Sequence, residues 1–164
     1  MLDWISSKVA VSFAVMLMLA SISACFAANN NRLRERELRI VAQEISAFIG
    51  EVMNLHSVAE LRISADADSD LSLPEAVGES RYSLQLRMDS VVASQGNEVE
   101  IAHWSGGLHL WRIDDSVISK EDMASLDEEH RFLDVNPCEG FSVSTEEVDV
   151  EGVTVLLVFA YLII

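Results

Sequence analysis

The sequence contains few positively charged residues. Two lysines (Lys8 and Lys120) and nine arginines stand against 27 acidic residues, which gives the 164-residue chain a formal net charge of −16. Phosphate backbones are bound by basic surfaces, so this balance argues against a nucleic-acid partner. A strongly acidic surface with few lysines keeps a protein soluble through self-repulsion and suits a salty or extracytoplasmic setting.

Cysteine is also scarce, and only Cys25 and Cys138 are present. Cys25 lies in an apolar N-terminal run and Cys138 in the turn-like stretch NPCEG, so we expect no intramolecular disulfide. Two cysteines fall short of the three or four ligands that a zinc site needs. We interpret Cys138 as a small, half-buried apolar residue, and we predict no cofactor.

Charge is absent from Val9 to Ala28, a run of 20 residues. A helix of that length spans about 30 Å, the thickness of the hydrocarbon core of a bilayer. The sequence therefore predicts a short N-terminal region over 1–8 and a transmembrane helix over 9–31, with membrane lipid as a partner. The predicted anchor residues are Val9, Phe13, Leu17, Leu19, Ile22 and Phe26.

An alternative N-terminal anchor is a lipid on Cys25. The stretch Ile22-Ser23-Ala24-Cys25 has the form of a bacterial lipobox, which would direct cleavage before the cysteine and its lipidation. Lipid-anchored domains usually follow a flexible polar linker, whereas here strong helix formers follow after only ANNN. We favour the transmembrane helix and keep a lipid-anchored extracytoplasmic binding protein as the alternative.

The charges beside the span bear on its orientation. Lys8 alone precedes the span, and four arginines follow it: Arg32, Arg34, Arg36 and Arg39. The positive-inside rule then favours a cytoplasmic C-terminal domain, although long domains translocate largely regardless of charge. A membrane-tethered cytoplasmic sensor or adaptor is therefore a third hypothesis.

An amphipathic helix is predicted over 32–57. Apolar residues recur there at steps of three and four, as in a helix that packs one face on a domain. The predicted helix–head packing residues are Leu38, Val41, Ile45, Phe48 and Val52, and Leu55 continues the same stripe. The simplest geometry joins both segments into one long helix, and two helices joined at the asparagine run are the alternative.

The remainder, 58–164, is predicted to be an antiparallel β head domain. Tyr82 to Met88 alternate in polarity, which indicates a half-buried strand that Val91 to Ala93 extend. A second strand contains Val99 and Ile101, and a short helix or loop occupies 114–131, with Ser119 as its N-cap. The apolar run Val153 to Ile164 is predicted to be a central strand covered on both faces. The predicted fold class is α+β: a long N-terminal helix, with a membrane half and an amphipathic half, packed on a small antiparallel sheet.

Catalytic motifs are missing. The triplet Asp66, Asp68 and Asp70 imitates the start of a calcium loop, but the required glycine and glutamate are replaced by Leu71 and Val77. His103 and His109 flank an SGG turn, and two histidines without a third ligand make no zinc site. We interpret the nearby Trp104 and Trp111 as sheet-face packing. With no nucleophile elbow or phosphate-binding glycine loop, we predict that the protein is not an enzyme.

The order of apolar helix, amphipathic extension and small sheet resembles that of archaeal type IV pilin-like proteins. The stretch LSLPEAVGESRYSLQLR (Leu71–Arg87) is similar to the segment that follows the helix in that family. The resemblance implies a single-pass membrane protein with an extracytoplasmic head, acting by self-association or by contacts with other pilin-like subunits. The family's basic-plus-small processing site and its acidic residue early in the helix are absent, which favours an unprocessed accessory component.

Overall fold

A computed structural model describes residues 2–55, 57–112 and 117–163 of the chain, without the side chains of residues 2–12 and Val117. The chain divides into two compact units, Met1–Arg34 and Glu35–Ile164. The first helix, α1, covers Leu2–Met53, so its residues belong to both units. The predicted α+β class is confirmed: the C-terminal part of α1 packs on a small sheet domain, called the head below.

The head contains nine strands and one further helix among the described residues. They are β1 Ala59–Ser64, β2 Leu71–Ser72, β3 Ser83–Arg87, β4 Ser90–Gln95, β5 Glu98–His103, β6 Val117–Ile118, α2 Lys120–Glu129, β7 Phe132–Val135, β8 Phe141–Val150 and β9 Val153–Leu162. The predicted N-cap is present, since the Ser119 hydroxyl accepts the backbone N–H of Asp122 at 3.1 Å. The sequence prediction missed β1, β6 and β7.

Strand β8 is at the centre of a five-stranded sheet. One side of β8 pairs with β9 along all ten residues, and the other pairs first with β1 and then with β6. Glu151 and Gly152 turn β8 into β9, and both have positive φ, at 55° and 84°. Such a two-residue turn matches the right-handed twist of a hairpin.

The remaining strands form a four-stranded antiparallel sheet in the order β5-β4-β3-β7. Val91 to Ala93 belong to a separate strand, β4, because the chain reverses at Met88 and Asp89; the predicted extension of β3 is therefore wrong. The head is rich in antiparallel pairs, as predicted, and its two shortest strands add parallel ones, β1 with β2 and β6 with β8.

The faces of the five-stranded sheet are covered by two hydrophobic clusters. Phe141 and Val143 of β8 join the larger cluster, which also contains the buried face of α1 and residues of both sheets. Val148 and Val150 point to the opposite face and join Trp111 and the partly buried apolar residues of α2. Alternate residues of a strand face opposite sides, so one strand serves both clusters.

Strand β9 is covered on both faces as predicted but is not central. Val158 and Ala160 join the larger cluster while Phe159 joins the smaller one. Within the described residues β9 lies at the edge of the sheet, and only one isolated bridge, from His109 to Phe159, contacts its outer side. Its first residues, Val153 and Thr154, are exposed. Ile164 lies outside the described residues.

Candidate membrane anchor and helix-to-head interface

The segment from Phe13 to Leu33 carries exposed side chains on every face of the helix. The exposed fractions of the large apolar residues range from 45% at Ile22 to 73% at Phe26. Burial of one such side chain is worth about 1.5–3 kcal/mol, so leaving the whole set in water would be costly. One helix among the described residues is long and apolar enough to span a membrane.

Five of the six predicted anchor residues lie in this segment. Phe13, Leu17, Leu19, Ile22 and Phe26 are all exposed there, while the side chain of Val9 lies outside the described ones. The hydroxyl of Ser21 donates to the backbone oxygen of Leu17 at 2.8 Å, so its donor is satisfied within the helix. That bond lets a serine enter hydrocarbon without an unmatched polar group.

Both cysteines are free and exposed. Cys25 lies in α1, on the segment just described. The interpretation of Cys138 as half-buried is wrong: it sits on the turn after Asn136, whose side-chain oxygen accepts the Cys138 backbone N–H at 3.2 Å. This Asx turn fixes the backbone there, and the side chain of Cys138 stays in solvent.

The C-terminal part of α1 packs one apolar face on the head. Leu38, Val41, Ile45 and Val52 are at most 3% exposed, and Phe48 is partly buried against the same cluster. Ala42 and Ile49 complete the stripe, so buried residues recur at three- and four-residue steps. The helix ends at Met53, and Leu55 is 38% exposed, so its assignment to the stripe is wrong. His56 lies outside the described residues.

Polar contacts also connect this part of α1 to the head. The guanidinium group of Arg39 donates to both carboxylate oxygens of Glu100, at 3.2 and 3.0 Å, and to Glu35 at 3.1 Å. Ser46 donates to the backbone oxygen of His103 at 2.7 Å. Hydrogen bonding to Glu100 raises the pKa of Arg39, which keeps the pair charged. The bidentate geometry fixes the rotation of the helix against β5.

A third contact involves the other side of the helix. The backbone N–H of Gly78 donates to the Glu37 carboxylate at 2.8 Å. Glu37 thus accepts a hydrogen bond from one segment of the head, and Arg39 donates hydrogen bonds to another. Exposed ion pairs contribute about 0–1 kcal/mol each, so these contacts set the register of the helix, and the apolar stripe supplies most of the stabilisation.

The face of β5 that turns inward carries Glu100 and Ala102. Val99 and Ile101 are 54% and 50% exposed, while Glu100 is turned toward Arg39. Alternation in sequence shows that a strand has two different faces, but an ion pair with the helix can decide which one turns inward. The result is an exposed apolar pair on an edge strand.

No protein-family model, curated protein or solved structure matches this chain.

The two histidines do not meet across a hairpin. His103 faces Ser90 and is exposed, whereas His109 is 9% exposed and lies between Trp111 and Phe159. Trp104 and Trp111 are buried, as packing residues would be. In the described ranges no three histidine, cysteine or acidic residues are grouped as metal ligands, and Asp66, Asp68 and Asp70 lie exposed on a turn.

Sequence reasoning missed the role of Asp127, on α2. Its Oδ1 atom lies 2.8 Å from Nδ1 of His109 and accepts the Trp111 ring N–H at the same distance. The aspartate thereby satisfies two polar groups in the smaller cluster and fastens α2 to the sheet. The motif spacing gave no signal for it, because the histidine and the aspartate are 18 residues apart and on different elements.

Proposed function

We propose that the chain is a single-span, membrane-anchored surface protein of the archaeal type IV pilin-like kind. It acts as a structural or accessory component, through contacts of its helix and head with copies of itself or with other subunits. The observation that carries the proposal is the apolar segment Phe13–Ala28, whose side chains are exposed on all sides of the helix. A helix that is hydrophobic all round needs lipid or other helices as its surroundings.

The attachment of the head supports the same proposal. The apolar stripe and the Arg39–Glu100 pair leave the head little freedom relative to Leu38–Val52 of the helix. A subunit that acts through packing contacts needs such a fixed arrangement, because a contact made by the head then also sets the position of Leu38–Val52 of the helix. The exposed apolar pair Val99 and Ile101 offers a surface for such contacts.

The experiment is to determine the native N-terminus by mass spectrometry on protein from membranes washed with alkaline carbonate. We expect an unprocessed N-terminus, no acyl group, and retention in the membrane pellet. Cys25→Ser and Cys138→Ser form a matched pair, and both should stay in the pellet. A water-soluble mature chain that begins after Ala24 would refute the anchor.

Lipid attachment at Cys25 is the second candidate. It is favoured by the lipobox-like stretch and by the exposure of the Cys25 thiol. In that case the mature chain begins with a diacylated Cys25, and Cys25→Ser alone leaves the membrane while Cys138→Ser remains. The same two measurements therefore separate a lipid anchor from a protein span.

The proposed orientation places the head outside the cytoplasm. Protease added to intact cells should then digest it, while a cytoplasmic control protein stays intact. Protection of the head in intact cells, with digestion after lysis, would instead support the cytoplasmic sensor that the four arginines favour.

A further inference from the structure

A cleft of about 720 Å³ lies on the head, and its walls carry two arginines. We call it the arginine cleft. Its sheet residues lie on the face of the five-stranded sheet that carries the smaller hydrophobic cluster, and its apolar residues Leu110 and Leu133 pack with the larger one. Its lining includes Arg62, Arg112, Ser142 and Tyr161, with Leu110 and Leu133 among its apolar residues.

The strand register brings these side chains together. Arg62 of β1 faces Ser142 of β8, and Ser142 faces Tyr161 of β9, so the three form one row across the sheet. Neighbouring strands are about 4.8 Å apart, which puts the backbones of Arg62 and Tyr161 about 10 Å apart. The guanidinium carbon of Arg112 lies 5.2 Å from the centre of the Tyr161 ring. Two cationic groups therefore flank one small polar floor.

The carboxylates of the cleft are engaged by other donors. Asp70 accepts the backbone N–H of Arg62 at 2.8 Å, and Glu60 accepts the Tyr161 hydroxyl at 3.0 Å. Among the described residues, neither Arg62 nor Arg112 forms a salt bridge within 4.0 Å. In a chain with 27 acidic residues, two arginines that line one cleft and form no ion pair within the described part of the chain are unexpected for a purely structural role, although Glu60 and Asp70 line the same cleft.

We propose that the arginine cleft binds a small organic anion. Its carboxylate or phosphate group lies between the two guanidinium groups, and its apolar body lies against Leu110 and Leu133. Guanidinium groups match both kinds of oxyanion in a bidentate geometry. The volume and the mixed lining are those of a small-molecule site. Tyr161 has two tasks: its ring holds Arg112, and its hydroxyl keeps Glu60 from competing with the ligand.

The test is calorimetric titration of the full chain in nanodiscs with hexanoate and with hexyl phosphate. Hexanol carries the same apolar body without the charge, and inorganic phosphate carries a charge without the body. Empty nanodiscs correct for partition into lipid. We expect at least one of the two organic anions to bind at one site per chain. The anion that binds more tightly shows whether the site prefers a carboxylate or a phosphate. Hexanol and inorganic phosphate should bind at least about tenfold more weakly.

Variants test the assignment of the residues. Arg62→Gln and Arg112→Gln should each weaken binding about tenfold or more, while the matched control Arg87→Gln, on the other sheet, should leave it unchanged. Tyr161→Phe should weaken it several-fold, because it releases the Glu60 carboxylate into the cleft. Each variant should unfold at the wild-type temperature within a few degrees.

Four results would overturn the proposal: no binding of either organic anion, equal binding of hexanol, equal binding of inorganic phosphate, or an equal loss in the Arg87→Gln control. The last would attribute the affinity to overall charge. Because the titration does not depend on the N-terminal anchor, its failure would leave the proposed membrane role untouched.

Discussion

Truncation of Ile45 should destabilise the head strongly. Ile45 is fully buried in the helix stripe, whereas Ile40, five residues earlier on the same helix, is 44% exposed. Removing a buried isoleucine to alanine costs about 2–5 kcal/mol, because transfer energy is lost and a cavity remains. The same change at Ile40 should cost less than about 1 kcal/mol, since much of its surface is already in solvent.

The assay is thermal unfolding of the full chain in nanodiscs, followed by near-ultraviolet circular dichroism, which reports on the buried tryptophans of the head. For a domain of this size one kcal/mol corresponds to roughly 3–5 °C. We therefore expect Ile45→Ala to lower the transition by about 6–25 °C and Ile40→Ala by no more than about 5 °C. Equal shifts in the two variants would refute the packing of this stripe on the head.

Three further predictions concern the head. Gly140 has φ of 73°, and an added Cβ would come within 3 Å of the backbone of β1. Gly140→Ala should therefore lower the free energy of unfolding, measured with a chemical denaturant, by more than about 2 kcal/mol. The control Gly107→Ala should be near neutral, because nothing lies near its added Cβ. Asp127→Ala should cost about 2–4 kcal/mol because two ring N–H donors lose their acceptor, against less than about 0.5 for the exposed neighbour Glu128→Ala; equal unfolding midpoints would contradict the bridge. Burial raises the pKa of Tyr82 and Tyr161 above the ordinary value of 10.0. The unfolded chain therefore loses these protons first, and the free energy of unfolding should fall as pH rises above 10.0. An unfolding midpoint that stays constant while phenolate absorbance rises would contradict this.

Local periodicity carried most of what could be predicted. The stripe from Leu38 to Val52 is a single face of a helix, so a period near 3.6 identifies it without any tertiary information. The alternation around Leu84 and Leu86 identifies β3 for the same reason, because one face of that strand is buried and the other is not. In each case the residues that form the pattern are close together in the sequence.

Long-range pairing explains what was missed. Strand β1 pairs with β8, about 80 residues away, and no local pattern reports that partner. The inward face of β5 depends on one ion pair with the helix, which alternation alone cannot select. The arginine cleft draws Arg62, Arg112 and Tyr161 from three distant segments, so no motif search along the chain would group them.

The central position of β8 has a consequence for biosynthesis. The stripe on α1 is made early, but the sheet that covers it is completed only when β8 and β9 have been translated, roughly 100 residues later. At about 5–20 residues per second, the ribosome needs about 5–20 s for that stretch. During this interval the apolar face of the nascent helix has no native partner. An exposed apolar surface of this kind is what chaperones and the translocation machinery bind.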